Sequence, residues 1–128
     1  MKEILAYKKT TENKYRWDAI VDDTQFEFYI PKWRIPFPVT EKILINIYTD
    51  KKNVKFLKTF TPEKIGSNEH LKKEPIFSEL EYKNEHTKTY RYDPIGNNKN
   101  WEIGNPYIPK SFFENKIIDH VYINVEWK

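Results

Sequence analysis

Tyr29-Ile30-Pro31-Lys32 recurs as Tyr107-Ile108-Pro109-Lys110, and the reading of this stretch decides the fold. The two occurrences lie 78 residues apart, and Ile45-Asn46 and Ile123-Asn124 keep that spacing downstream. Upstream the spacing is 75. Leu5, Tyr7, Lys8, Tyr15, Arg16, Asp18 and Ile20 match Leu80, Tyr82, Lys83, Tyr90, Arg91, Asp93 and Ile95. The second occurrence therefore carries three extra residues between Ile95 and Tyr107. The pattern reads as a tandem duplication within a single domain, with a first repeat over 4–50, a linker over 51–78 and a second repeat over 79–128. Halves of this size are marginal as independent folding units, so they are expected to share one core.

The repeats read as strands. Tyr15, Trp17, Ala19 and Val21 alternate with Arg16, Asp18 and Ile20, the period of two that puts one set on each face of a sheet. Asp22-Asp23 closes a hairpin, Gln25 to Ile30 forms a third strand, and Pro31 stops it by lacking a ladder donor. Lys42 to Tyr48 is a fourth, with Ile43, Ile45 and Ile47 inward. The second repeat follows the same order, ending in His120 to Trp127. Trp33 to Pro38 reads as an irregular connection and Ser111 to Lys116 as a short helix. In the linker Val54 to Phe60 is β-prone. Thr61-Pro62-Glu63 has the cap, proline and acid of a helix start, and Ser67 can cap a second turn.

The fold expected is mainly β: an internally duplicated, pseudo-two-fold small β-barrel or sandwich of about eight strands, with one or two short helices in the linker. A closed or nearly closed barrel is preferred, because duplicated hairpins can pair edge to edge and remove free edges. Its core is expected to contain Leu5, Tyr7, Tyr15, Trp17, Phe26, Phe28, Ile30, Ile43, Ile45 and Ile47. From the second repeat come Leu80, Tyr82, Tyr90, Tyr92, Trp101, Ile103, Val121, Ile123 and Val125.

Composition bounds the function. The net charge of +3 balances 22 basic against 19 acidic residues, a mixed surface that allows a local basic patch without making the chain polycationic. With no cysteine, disulfide and thiolate chemistry are excluded. Met1 to Lys8 has no signal-like apolar run and no stretch is long enough for a membrane span, so a cytoplasmic, soluble protein is expected, monomeric or homodimeric. There is no phosphate-binding glycine loop, nucleophile elbow or dinucleotide fingerprint, and no cofactor is expected.

Ile108-Pro109-Lys110-Ser111-Phe112-Phe113-Glu114, followed by the alternating Val121 to Glu126, resembles the AbrB/MazE swapped-hairpin family. The first repeat is similar through Ile30-Pro31-Lys32, Arg34 and Ile43 to Asp50. In that family a strand ending in Ile-Pro-Lys leads through a short helix to an alternating strand, and two polypeptides interleave into one DNA-binding barrel. The resemblance implies that two copies in one chain form such a barrel, acting as a DNA-binding regulator or antitoxin-type protein.

Several residues are candidates for function. Arg16 and Arg91 share a strand face with Asp18 and Asp93, an arrangement suited to bracing the sheet or to presenting two arginines to phosphates. Lys32 and Lys110 follow the prolines, and Lys14 and Lys88 lie near the starts of the second strands. Together these six residues form the expected nucleic-acid contact set, with double-stranded DNA as the partner. Trp33 is a candidate platform for a base or a peptide proline. His70, His86 and His120 have no metal-ligand spacing, so no metal is expected. The reading is a non-catalytic binding module. Its alternatives are a protein–protein interaction module and a small hydrolase using Glu79, Glu81, Glu85 and His86.

Overall fold

A computed structural model describes residues 2–10, 13–36, 38–57 and 72–128. The chain is mainly β, with eight antiparallel strands in one nearly closed, barrel-shaped sheet. The strands are β1 (Lys2–Thr10), β2 (Lys14–Val21), β3 (Thr24–Pro31), β4 (Lys42–Tyr48), β5 (Ile76–Glu85), β6 (Thr89–Pro94), β7 (Tyr107–Pro109) and β8 (His120–Trp127). Their order is β3-β2-β1-β4-β8-β5-β6-β7. Strands of the first half stay contiguous, those of the second half follow, and the two sets meet at the β4–β8 ladder. The halves lie side by side and do not interleave.

That order reads the same from either end, and the contacts recur at the spacings of the sequence. At the centre Asn46 pairs with Asn124, flanked by Ile45 with Val125 and Ile47 with Ile123. Leu5 opposes Ile43 as Leu80 opposes Val121. Each first strand has a bulge at the same place, between Tyr7 and Lys9 and between Tyr82 and Asn84. The amide of Tyr7 donates to Glu41 O, and that of Tyr82 to Asp119 O. Trp17 Nε1 donates to Thr40 O at 3.1 Å, where Tyr92 donates its hydroxyl to Ile118 O at 2.7 Å.

Closure falls between β3 and β7. There the amide of Gly104 donates to Tyr29 O at 2.8 Å. A side chain at Gly104 would bring its Cβ to 3.1 Å from Tyr29 Cβ, so glycine is what lets the two backbones approach.

The interior is filled by Leu5, Trp17, Phe26, Phe28, Ile30, Ile43, Ile45 and Ile47 with Leu80, Tyr90, Tyr92, Ile103, Val121, Ile123 and Val125. Tyr15 and Tyr82 pack against this core half-buried. Two expected members differ. Tyr7 is 36% exposed; it packs against Tyr15 and Trp17 beside the bulge, with its remaining surface toward solvent. Trp101 is half-buried outside the core, because it sits in the loop between β6 and β7 and not on a strand. Val21, Ile35, Ile76, Ile108, Phe112 and Phe113 complete the core.

The described residues contain 3-10 turns in place of α-helices. Lys110–Phe113 is one such turn, so the helix expected over Ser111 to Lys116 is shorter and tighter. Lys32–Arg34 is its counterpart, opening the connection read as irregular. In the linker, Lys51–Asn53 is a turn capped by Asp50, whose carboxylate accepts from Lys52 N at 2.9 Å. The helix starts at Thr61 and Ser67 lie outside the described residues. Val54 to Leu57 is not a strand. It crosses the β8 face, where buried Asn124 accepts from the amides of Lys55 and Phe56 at 3.0 and 3.1 Å and donates to Phe56 O at 2.9 Å. No helix among the described residues is long and apolar enough to cross a membrane.

One departure from symmetry matters most. In the first half β2 and β3 are joined by Asp22-Asp23, both at positive φ (48° and 64°), the backbone of a two-residue type I′ hairpin. In the second half the longer 95–106 loop takes that place, with a 3-10 turn at Asn98–Asn100.

Candidate functional site

The longer loop and the turn after β3 meet at one end of the barrel and enclose a cleft of about 440 Å³. Lys14 comes from the start of β2, Lys32 and Trp33 from the turn, and Lys99 and Trp101 from the loop. Asn13 and Asn98 add amide groups, and among the described residues no carboxylate lines the cleft. Pro31 fixes the geometry of the turn. It ends the ladder, and the chain then bends so that Trp33 faces the cleft while Arg34 turns inward.

Arg34 is fully buried, and Glu102 is 5% exposed. Arg34 Nε donates to Glu102 Oε1 at 2.8 Å. Its Nη1 donates to Lys72 O at 2.8 Å and its Nη2 to Glu74 O at 2.9 Å. Burial pushes the Arg34 guanidinium below its ordinary pKa, and the hydrogen bond it donates to Glu102 pulls it back. Each partner stands one residue after a cleft tryptophan, Trp33 or Trp101. A buried arginine held by planar, directional bonds is a rigid brace, so the two tryptophan-bearing segments are pinned to each other beneath the cleft.

The four tryptophans divide by environment. Trp17 and Trp127 contact each other with ring centroids 6.5 Å apart. Trp33 and Trp101 make no aromatic ring contact among the described residues and face the cleft instead.

Lys14, Lys32 and Trp33, of the residues singled out from the sequence, converge here. Arg16 lies on the outer face of β2, its Nε 3.0 Å from Asp18 Oδ1 and its Nη1 3.7 Å from Glu27 Oε1. A hydrogen bond with Tyr29 leads the effects that raise its pKa. Arg91 is held by Asp93 at 3.1 Å. Lys110 pairs with Glu85 and lies over the Tyr90 ring, as Lys32 lies over Tyr15. Lys88 is exposed beside it, its carbonyl accepting from Lys110 N at 3.0 Å. Neighbouring strands alternate in direction around the sheet, so β3 and β7 end at opposite ends of the barrel. Lys32 and Lys110 therefore lie at opposite ends, and the six basic residues do not gather on one surface.

The Glu/His cluster is similarly dispersed. Glu79 lies near Lys51, Glu81 pairs with Lys83 and Glu85 pairs with Lys110. His86 packs on Tyr107 at 5.0 Å between centroids. Among the described residues no group of three or more His, Asp or Glu side chains could hold a metal ion.

Lys99, Trp101 and the Arg34–Glu102 brace were not among the site residues expected. The signal for the first two was the three-residue excess in the second repeat, which marks where the halves stop being alike. No known protein-family model matches the chain, and no curated protein matches it significantly.

Proposed function

We propose that the chain is a non-catalytic binding module, grown by duplication of a half-barrel, that takes nucleic acid in the cleft between Trp33 and Trp101. The observation that carries this reading is the lining of the cleft, with three lysines, two tryptophans and, among the described residues, no carboxylate. Lysines supply phosphate attraction, and tryptophan faces supply base stacking worth about 1–3 kcal/mol per base. The ligand class does not rest on the swapped-hairpin resemblance, since the halves lie side by side where that family interleaves; a regulator or antitoxin-type role rests on that resemblance alone. The symmetric duplex contact expected from Arg16, Arg91, Lys32 and Lys110 is not part of the proposal. Its arginines are held by carboxylates and its lysines stand at opposite ends.

The test is the salt dependence of binding to a labelled oligonucleotide, followed by fluorescence anisotropy. Affinity should fall steeply as salt rises, and Lys32→Ala and Lys99→Ala should each flatten the log–log slope by about 0.7–0.9. Lys110→Ala, at the far end, should leave the slope unchanged. Equal binding of polyglutamate would move the reading to a protein-interaction module. One observation favours that second reading: Ile20 and Ile95, matched at spacing 75, are 69% and 47% exposed.

A further inference from the structure

We infer that the cleft is built for an unpaired nucleic-acid strand and excludes a duplex. This rests on the nucleic-acid reading above and narrows it. Three features carry the step.

The cleft is concave. Duplex readers insert a convex element, a helix or a β-ribbon, into a groove. Here the tryptophans line a recess of about 440 Å³, within the roughly 300–1,000 Å³ that encloses a small ligand. Such a recess admits a base or a nucleotide and is too small for a double helix. A base reaches it only when its faces are uncovered, and in a duplex the neighbouring pairs cover them.

The charge is one-sided. Lys14, Lys32 and Lys99 lie along one cleft, which suits a single backbone. On the other side of Trp101 a second cleft of about 400 Å³ is lined by Glu79 and Glu102, which pair with Lys51 and Arg34, and among the described residues by no lysine or arginine. Trp101 thus stands between a lysine-lined recess and one whose described lining carries no cationic side chain, and a phosphate chain is favoured on the lysine side.

The slot is set in advance. Arg34 and Glu102 join the segments that carry Trp33 and Trp101 at 2.8 Å, so the two cleft walls are fixed relative to each other before a base enters and little ordering cost is left to offset. The Asn13 and Asn98 amides at the rim are the groups able to touch base edges. A mild sequence preference is therefore expected, not a strict code.

The experiment uses the whole chain with four fluorescein-labelled probes: a 15-residue oligothymidylate, an oligouridylate of the same length, a mixed-sequence duplex of that length and polyglutamate. A single strand should bind at least tenfold more tightly than the duplex. Binding of either single strand supports the inference, and the tighter of the two names the natural sugar. Trp33→Ala and Trp101→Ala should each weaken it about tenfold or more. Trp33→Phe, which keeps a stacking face and the fold, should retain most of it. Equal affinity for duplex and single strand, or no effect of either alanine variant in a folded protein, would overturn the inference and leave the nucleic-acid reading standing. Binding of polyglutamate alone would overturn both.

Discussion

Arg34 Nε donates to Glu102 Oε1 at 2.8 Å in the barrel interior, across 68 residues of sequence, with each partner directly following a cleft tryptophan. Breaking such a pair leaves a buried charge without its counter-charge, which costs about 3–5 kcal/mol. Glu102→Ala should lose stability on that scale in urea unfolding. The double variant Arg34→Met with Glu102→Leu should recover only part of it: the apolar pair avoids the desolvation cost but leaves the Lys72 and Glu74 carbonyls without their Arg34 donors. A loss below about 1 kcal/mol for Glu102→Ala would show that the pair is not the brace described.

Asn124 predicts a local effect. Its side chain holds the amides of Lys55 and Phe56 on the outer face of β8. Asn124→Ala should cost about 1–3 kcal/mol and speed hydrogen exchange at those two amides more than elsewhere. Exchange that rises uniformly over the barrel would mean that the segment is held by something else.

Gly104 predicts a seam. Gly104→Ala places a methyl group 3.1 Å from Tyr29 Cβ, and relieving that crowding should cost about 1–3 kcal/mol. Gly96→Ala meets no atom within 4 Å but forces alanine to φ +104°, so it too should destabilise, by about 1–2 kcal/mol. The two separate by exchange: only Gly104→Ala should expose the amide that bonds Tyr29 O. If both leave that amide equally protected, the closure does not depend on the glycine.

Tyr92 sets the alkaline limb of stability. Burial leads the effects that raise its phenol from the ordinary 10.0 to about 12. The unfolded chain therefore loses this proton first as pH rises. The contribution is fully present below pH 10 and disappears through pH 12, an effect of about 2–3 kcal/mol. Tyr92→Phe should lower stability at neutral pH by about 1 kcal/mol, through the lost bond to Ile118 O, and should flatten the decline above pH 10 relative to the parent. Parallel curves would place the titration elsewhere.

Much of the barrel was legible because its strands alternate cleanly. Trp17, Ile43, Ile45, Val121 and Ile123 mark their inward faces at a period of two, and β2, β4 and β8 span the expected residues. The cleft was half legible. Lys14, Lys32 and Trp33 could be found because two of them border a repeated motif. Trp101 was misread as core because, beyond the point where the repeats diverge, no partner position reports its environment. Arg34 entered only through the family resemblance, with no sign of its burial: one arginine in a proline-rich connection has no periodicity, and its partner is fixed only by tertiary packing. Tyr7 shows the limit of period-two reasoning, since its position beside a bulge leaves part of the ring exposed while the alternation counts it inside.

The most direct test of the central claim is a ¹H–¹⁵N titration following the four indole Nε1–H signals as oligothymidylate is added. Trp17 Nε1 is bonded to Thr40 O, Trp127 Nε1 to Glu74 O and Trp101 Nε1 to Gly96 O; Trp17 and Trp127 do not line the cleft, so these two serve as internal controls. The account predicts that the Trp33 and Trp101 signals shift together and saturate at one strand per chain, while those of Trp17 and Trp127 stay in place. Shifts confined to Trp17 or Trp127, or none in any of the four at concentrations where the strand is bound, would contradict it.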